Sequence, residues 1–313
     1  MLMIDKKILQ YIYCPSCKGD LFEETDYLVC KQCTNKYEVL DKNIAFIVPH
    51  LTDDVKLSIK KWDTSYESKL VDGSYRSFVA ASDRDHHENE YSQLNAEKNI
   101  DKDIVFLEIG CGTFALGQFL ADKVKLVIGM DFSPSALKIA KKLLDEKGIK
   151  NYLLIQGDIS SIPIKDSSVD IIFGGGVIEH FQNTKGCIGE LHRILKPNGI
   201  SFNTVPYLNI GSLTYRQTWG NIPNVPILKQ IAELIHIRLL GARHMRFGYE
   251  MSFTAGKLKN IHRKAGFNNV KIQQYKVGLV LNFIPKRFRA LFTRLADSNR
   301  LFWPMIKVVA KKD

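Results

Sequence analysis

Four cysteines fall in two pairs, Cys14-Pro-Ser-Cys17 and Cys30-Lys-Gln-Cys33, with twelve residues between them. Each Cys-x-x-Cys pair makes a tight knuckle whose thiolates reach one ion, so the pattern predicts a tetrahedral zinc site with bonds of about 2.3 Å. All four places are filled by protein, which makes the expected metal structural rather than catalytic. A disulfide reading is weaker, because Lys6 and Lys7 interrupt the only candidate secretory h-region and a reducing cytosol disfavours disulfides. A second cluster starts at Gly110-Cys-Gly112, directly after the apolar run Ile104 to Ile109, and a second apolar run ends in Asp131. Glycines there permit close approach of a ligand to the backbone, and carboxylates such as Glu108, Asp131 and Asp158 beside apolar runs are costly to bury without a purpose.

The elements that must hold these groups follow from the patterning. At 313 residues the chain has room for two domains, and 25% charged with 45% hydrophobic residues excludes disorder and fibrous repeats. No apolar run nears the roughly 18 residues needed to span a bilayer, so a cytoplasmic location is expected, with peripheral membrane contact left open. The net charge of +11 is unevenly placed: up to Val205 there are 25 Lys and Arg against 29 Asp and Glu, and from Pro206 onward 19 against 4. The basic last third suggests an anionic partner, with a merely solvated surface as the bland alternative. Residues 1–49 are read as the zinc domain, in which Asp20 to Val29 forms one hairpin and Tyr37 to Val48 another, closed before Pro49. Residues 50–100 are read as a polar linker. Trp62, Tyr66 and Leu70 fit a helix laid across the mouth of the next domain, and His86-His87-Glu88 is taken as solvated. From residue 101 onward the order is strand, glycine turn, helix from Ala115, strand to Asp131, and a helix capped by Ser133 with Pro134 first, which defines a nucleotide-binding α/β half.

Gly110 to Ala115 alone would also suit a dinucleotide-dependent dehydrogenase. The segments LEIGCGTFALG (Leu107 to Gly117), GMDFSPSAL (Gly129 to Leu137), QGDISSIPIKDSSVDIIF (Gln156 to Phe173), VIEHF (Val177 to Phe181) and LHRILKPNG (Leu191 to Gly199) separate the two. In this order and spacing the chain resembles the class I S-adenosylmethionine-dependent methyltransferases, over roughly residues 101–205 and a C-terminal part. The resemblance implies an α/β fold: a Rossmann-like sheet of seven strands, mostly parallel with one antiparallel edge, preceded by the zinc ribbon and carrying a helical insertion at 206–250. It implies S-adenosylmethionine as cofactor beside structural zinc. Glu108 would then sit near the cofactor's cationic end, Gly110, Gly112 and Gly174 would admit its methionine portion, and Asp131 would take the ribose hydroxyls. Phe132 and Ile159 would flank the adenine, with plain core as their alternative, and Asp158 would accept from the adenine amine. The family often has a glycine where this chain has Phe114, a departure expected to reshape the loop.

Methyl transfer from a sulfonium is an in-line displacement that needs positioning and exclusion of water. His180 is the candidate base for acceptors that must lose a proton, with a helix-capping role as the alternative. Gly174-Gly-Gly176 stands where adenine amino-methyltransferases carry Asn-Pro-Pro-Tyr, and no Pro-Cys dipeptide is present for attack on a pyrimidine. The insertion holds Tyr207, Tyr215 and Trp219, an expected helix from Ile227 to Leu240, and Arg238, Arg243, His244 and Arg246. A second amphipathic stretch carries Phe288, Leu291, Phe292 and Leu295 among Lys286, Arg287, Arg289 and Arg294. Such helices suit a membrane surface or a lid over an apolar, anionic acceptor, and packing on the sheet is the equal alternative. The leading expectation is a methyltransferase for a small-molecule, lipid-linked or glycan-linked acceptor. The alternative is a ribosomal RNA guanine methyltransferase, a family that also carries an N-terminal zinc domain. The ribbon here has Cys33 where those enzymes have His, and it is similar to the zinc-ribbon activator of tRNA and protein methyltransferases.

Overall fold

A computed structural model describes residues 9–41, 44–46, 53–76, 84–209, 222–223, 225–239, 251–275, 285–303 and 305–313. Tyr215, Trp219, Arg243, His244 and Arg246 lie outside the described residues.

The central sheet takes its strands from β5 (Val105–Ile109), β6 (Leu126–Asp131), β7 (Tyr152–Gln156), β8 (Val169–Gly175), β9 (Leu195–Pro206), β12 (Asn269–Tyr275) and β13 (Met305–Lys311). Their order is β7-β6-β5-β8-β9-β13-β12. The first five run parallel and β13 is antiparallel to both neighbours, the seven-stranded arrangement expected from the sequence. Every residue of β5 and β6 is buried, as strands covered on both faces must be. Helices α3 (Ala115–Leu120), α4 (Pro134–Glu146), α5 (Thr184–Ile194) and α7 (Ala255–Lys264) follow β5, β6, β8 and the insertion. The Ser133 hydroxyl accepts the Ala136 amide at the start of α4, the cap expected from the sequence, and Thr254 does the same for Lys257 at α7.

The ribbon strands β1 (Leu21–Glu24), β2 (Tyr27–Cys30), β3 (Lys36–Asp41) and β4 (Ile44–Phe46) form two antiparallel hairpins. They do not end as a closed unit: β4 pairs in parallel with β7, placing Ile44 opposite Leu154, so the ribbon extends the main sheet to eleven strands. An Ile12 to Ile164 bridge and an Asp20 to Lys165 ion pair of 2.7 Å tie it down further.

The polar stretch after the ribbon holds two helices, α1 (Asp53–Val71) and α2 (Arg84–Glu97). On α1, Tyr66 and Leu70 pack against Ile139 and Leu143 of α4, as their spacing suggests, while Trp62 remains 43% exposed. On α2 the expectation of a solvated histidine pair is corrected: His87 lies 3.2 Å from the buried Glu90 and its ring meets Phe119. Glu90 also accepts from the Tyr275 hydroxyl, so an acid on a polar-looking helix anchors that helix to the sheet edge.

Beyond β9 the chain forms β10 (Ile222–Pro223), α6 (Pro226–Glu233) continuing as a wider turn through Leu239, β11 (Met251–Ser252), and α8 (Lys286–Ser298) with a short turn at Arg300–Phe302. Apart from Ala232 of α6, which packs against the core, the apolar faces of α6 and α8 do not lie on the sheet. Ile227, Leu228, Ile231, Leu234, Ile235, Phe288, Leu291, Phe292 and Leu295 are all exposed.

Candidate active site and metal centre

The glycine turn after β5 is built on two left-handed residues, Gly110 (φ 57°) and Gly112 (φ 51°). A Cβ on Gly110 would lie 2.6 Å from Val177, and one on Gly112 would lie 2.7 Å from the Tyr66 hydroxyl, so neither place tolerates a side chain. The Gly112 amide donates to one oxygen of Asp131 at 2.8 Å and the Ser133 amide to the other at 2.8 Å. A carboxylate has about four acceptor positions, so two remain for hydroxyls of a ligand. Burial raises the Asp131 pKa against the pull of these amides. Burial also pushes the Glu108 carboxyl well above the usual range; the Gly117 amide, donating at 3.0 Å, opposes the rise, and Glu90 and Asp131 add to it. A positively charged group entering beside Glu108 and Asp131 would bring both back toward ionisation.

Phe114 accounts for the departure in the loop. It adopts the left-handed conformation (φ 60°, ψ 39°), at a cost of about 1–2 kcal/mol for a residue with a side chain. Its ring is fully buried under the turn, and a Cβ on Gly117 would come within 2.1 Å of it. The missing glycine has in effect moved three residues on, to the place the ring needs empty. The loop keeps its course and the ring points into the core.

The other expected residues gather at the same carboxyl end of the parallel strands. Gly174 lies next to Ile109 in the β8 to β5 pairing, and a Cβ there would fall 2.4 Å from Asn203. Gln156 donates to the Phe132 carbonyl, and the Gly157 amide to the Asp131 carbonyl, which draws the Asp158 turn to the end of β6. The Asp158 side chain accepts from Ser160 and is partly exposed. Ile159 is 4% exposed and belongs to the core cluster of Ile162 and Ile164. Glu179 and His180 follow β8 in a short turn, the first buried and the second half-buried.

Helix α1 brings two side chains to the site: Asp63, which sequence reasoning missed, and Tyr66, which it placed on a helix across the domain's mouth. Asp63 accepts from the Ser133 hydroxyl at 2.7 Å and the Ser135 amide at 2.8 Å, so it caps α4 from outside. Three residues on, one helical turn along the same face, Tyr66 lies over Gly112, and burial with the nearby Asp131, Cys111 and Glu108 raises its pKa. The Trp62, Tyr66, Leu70 spacing placed the helix; nothing in it marked Asp63 as the anchor.

In the ribbon, the four sulfurs of Cys14, Cys17, Cys30 and Cys33 all lie within 4.8 Å of one another, with Cys14 to Cys33 at 3.6 Å and Cys17 to Cys30 at 3.3 Å. Tetrahedral bonds of about 2.3 Å place sulfurs about 3.8 Å apart, so the set fits a zinc ion with small adjustment. The amides of Gln32 and Cys33 point at the Cys30 sulfur and the Tyr37 hydroxyl lies 3.0 Å from that of Cys14. Burial opposes ionisation of Cys14, yet hydrogen bonds from the Tyr37 hydroxyl and the Cys17 and Ser16 amides bring it down to about 6, while the thiols of Cys17 and Cys33 are pushed up. Four sulfurs this close could hold a metal ion among them.

Residues 100–214 match the family model described as methyltransferase domain. The demethylmenaquinone methyltransferase of Staphylococcus saprophyticus is 25% identical over 224 residues, covering 67% of this chain and 89% of that one. The malonyl-[acyl-carrier protein] O-methyltransferase of Hamiltonella defensa is 32% identical over 134 residues; the match covers 42% of this chain and spans about half, 49%, of that protein. Among solved structures, a chain from the complex between the Haloferax volcanii Trm112 methyltransferase activator and a methyltransferase aligns with a TM-score of 0.52 at 16% identity, covering 79% of this chain and 98% of that one. Over residues 100–214 the chain thus matches a methyltransferase domain, and its fold is the one its sequence leads one to expect.

Proposed function

We propose that the protein transfers a methyl group from S-adenosylmethionine to a small-molecule or lipid- or glycan-linked acceptor. The observation that carries this is the turn at Gly110 to Gly112, closed on Asp131 by its own amide, with a second buried acid, Glu108, behind it. Two carboxyls held in low-dielectric surroundings await a cation, and the cofactor supplies one in its amino group and sulfonium. In this reading Gly110, Gly112 and Gly174 admit the methionine portion, Asp131 takes the ribose through its two free acceptor positions, Phe132 and Ile159 bound the adenine, and Asp158 accepts from its amine. The in-line displacement itself needs no covalent intermediate. His180 is the base where the acceptor is a hydroxyl. The similarity to a demethylmenaquinone methyltransferase and a malonyl-[acyl-carrier protein] O-methyltransferase supports an acceptor that is small or attached to a carrier.

In the same proposal residues 1–49 are the zinc-ribbon domain, 50–100 the helical cover, and 101–313 the catalytic domain with its acceptor insertion at 206–250. Zinc fills the four-cysteine site as a structural ion. Native mass spectrometry of protein purified without chelator should show one zinc per chain, and a metal-free mass would remove this part of the proposal.

The central test is transfer of a labelled methyl group from S-adenosylmethionine into cell extract separated into RNA, protein, lipid and small molecules. Label in lipid or small molecules is the expected outcome; label in ribosomal RNA would replace the proposed acceptor by a nucleic acid. Asp131→Ala should weaken cofactor binding by calorimetry about tenfold or more, because two hydrogen bonds to a charged acceptor are lost. Unchanged affinity would remove the ribose assignment.

A further inference from the structure

We infer that α6 and α8 form a docking surface for an anionic phospholipid bilayer, on the rim of the sheet where methyl transfer would occur. Both helices carry their apolar residues on one face: Leu228, Ile231 and Ile235 on α6 and its continuation, and Phe288, Leu291, Phe292 and Leu295 on α8. These side chains are between 41% and 55% exposed, far more than the core-facing positions of α4 or α5. A stripe of large aliphatic and aromatic groups facing water needs an occupant.

The charge indicates which occupant. Arg287 and Arg294 are exposed beside the α8 stripe, Arg289 is half-buried, and the exposed Arg238 lies beyond that of α6. The chain from Pro206 onward carries 19 basic against 4 acidic residues. Basic groups around an apolar stripe match a bilayer with anionic headgroups over acyl chains, where the stripe enters the interface and the arginines meet phosphates. A nucleic acid would use the arginines and leave Ile231, Ile235, Leu291 and Leu295 without a role. A second copy of this chain would set like charges against each other.

Position links this surface to the site. β10, directly before α6, pairs with β11, and the next residue, Phe253, is hydrogen-bonded to the Pro206 carbonyl and the Leu208 amide at the carboxyl end of β9. After α8, Arg300 donates to the Tyr207 hydroxyl at 3.0 Å, and Asn209 donates to the carbonyls of Arg300 and Trp303. Both helices thus hang from the same strand end, and β8, which leads to His180, is the neighbour of β9. An acceptor dissolved in the bilayer would reach the site without crossing water. That consequence rests on the proposed methyl transfer; the surface itself does not.

Co-flotation of the full chain with phosphatidylglycerol–phosphatidylcholine vesicles tests the surface, with S-adenosylmethionine calorimetry on the same sample as the separate check on the cofactor site. The expected result is binding to the mixed vesicles, weaker binding to pure phosphatidylcholine, and a loss of about tenfold or more in both Leu291→Gln/Phe292→Gln and Arg287→Glu/Arg294→Glu, with cofactor affinity unchanged. All four positions are outside the core, so these variants keep the fold. No vesicle binding by the unaltered chain at low salt would overturn the inference, as would binding that neither double variant weakens. A dimer in analytical ultracentrifugation that Leu291→Gln/Phe292→Gln dissolves, without vesicle binding, would give the face to a second copy and overturn it. Retention on RNA without vesicle binding would do the same.

Discussion

Helices α4 and α8 are both thirteen residues long, and both place apolar side chains three and four apart along one stripe. On α4 that stripe is closed: Leu137, Ile139, Ala140 and Leu144 have no exposure, and α1 covers the flank. On α8 the stripe faces outward. Helical spacing fixes which side of a helix is apolar, and it carries no information about what will lie against that side. A partner outside the chain leaves the same mark in the sequence as the protein's own core. The charged flanks do not separate the two either, since α4 carries Lys138, Lys141 and Lys142 with Asp145 and Glu146 in its last turn, and α8 carries Arg287, Arg289 and Arg294 with Asp297.

The sharpest way to break this comparison is a matched pair of truncations. Leu137→Ala should lower stability by about 2–5 kcal/mol in denaturant unfolding, the range for a fully buried leucine. Leu291→Ala should stay within about 0.5 kcal/mol, as exposed substitutions do. Equal losses would mean that α8 is covered by the chain itself.

A pH titration sharpens it within the basic last third. His262 on α7 is fully buried, and its Nδ1 lies 2.9 Å from the Leu258 carbonyl. Burial brings its pKa down to about 4, from 6.5 in the open chain. The unfolded chain therefore binds the proton first: stability is complete above about pH 6.5 and falls as pH drops toward 4, by about 3 kcal/mol at the limit. His262→Leu should flatten that part of the pH curve, and an unchanged slope would move the effect elsewhere. A smaller effect is expected from the α4 cap. Ser133→Ala removes the acceptor for Ala136 and the donor to Asp63, costing about 1–2 kcal/mol in thermal unfolding, whereas a loss near zero would show the Ser135 amide to Asp63 bond, with Tyr66 and Leu70, to be enough to hold α1.

The parts legible in the sequence are those governed by neighbours a few residues apart. Cys-x-x-Cys knuckles, the Ser133-Pro134 start of α4 and the glycine turn before α3 all depend on local geometry and took their expected places. What stayed hidden depends on distant partners. His87 looked solvated because its neighbour Glu90 is anchored by Tyr275, far along the chain. Asp63 caps a helix seventy residues away. Phe114 looked like an intrusion into the loop until the space left by Gly117 accounted for its ring. Ile159 could be read as core or as a wall of the site from its residue type alone; it packs in the cluster of Ile162 and Ile164, one residue after Asp158.

The parallel pairing of β4 with β7 also bears on how the molecule is made. A ribosome delivers the ribbon first, and Ile44 then waits until Leu154 has been synthesised before the strand can find its place. Closing so long a loop is slow, and in the interval β7 is a bare edge able to recruit strands from other chains. An ion that sets the knuckles early would hold β4 in shape for that meeting. Metal supply would then govern the yield of the catalytic sheet, a long way from any chemistry at the glycine turn, and starvation for zinc would show first as aggregation of newly made chains.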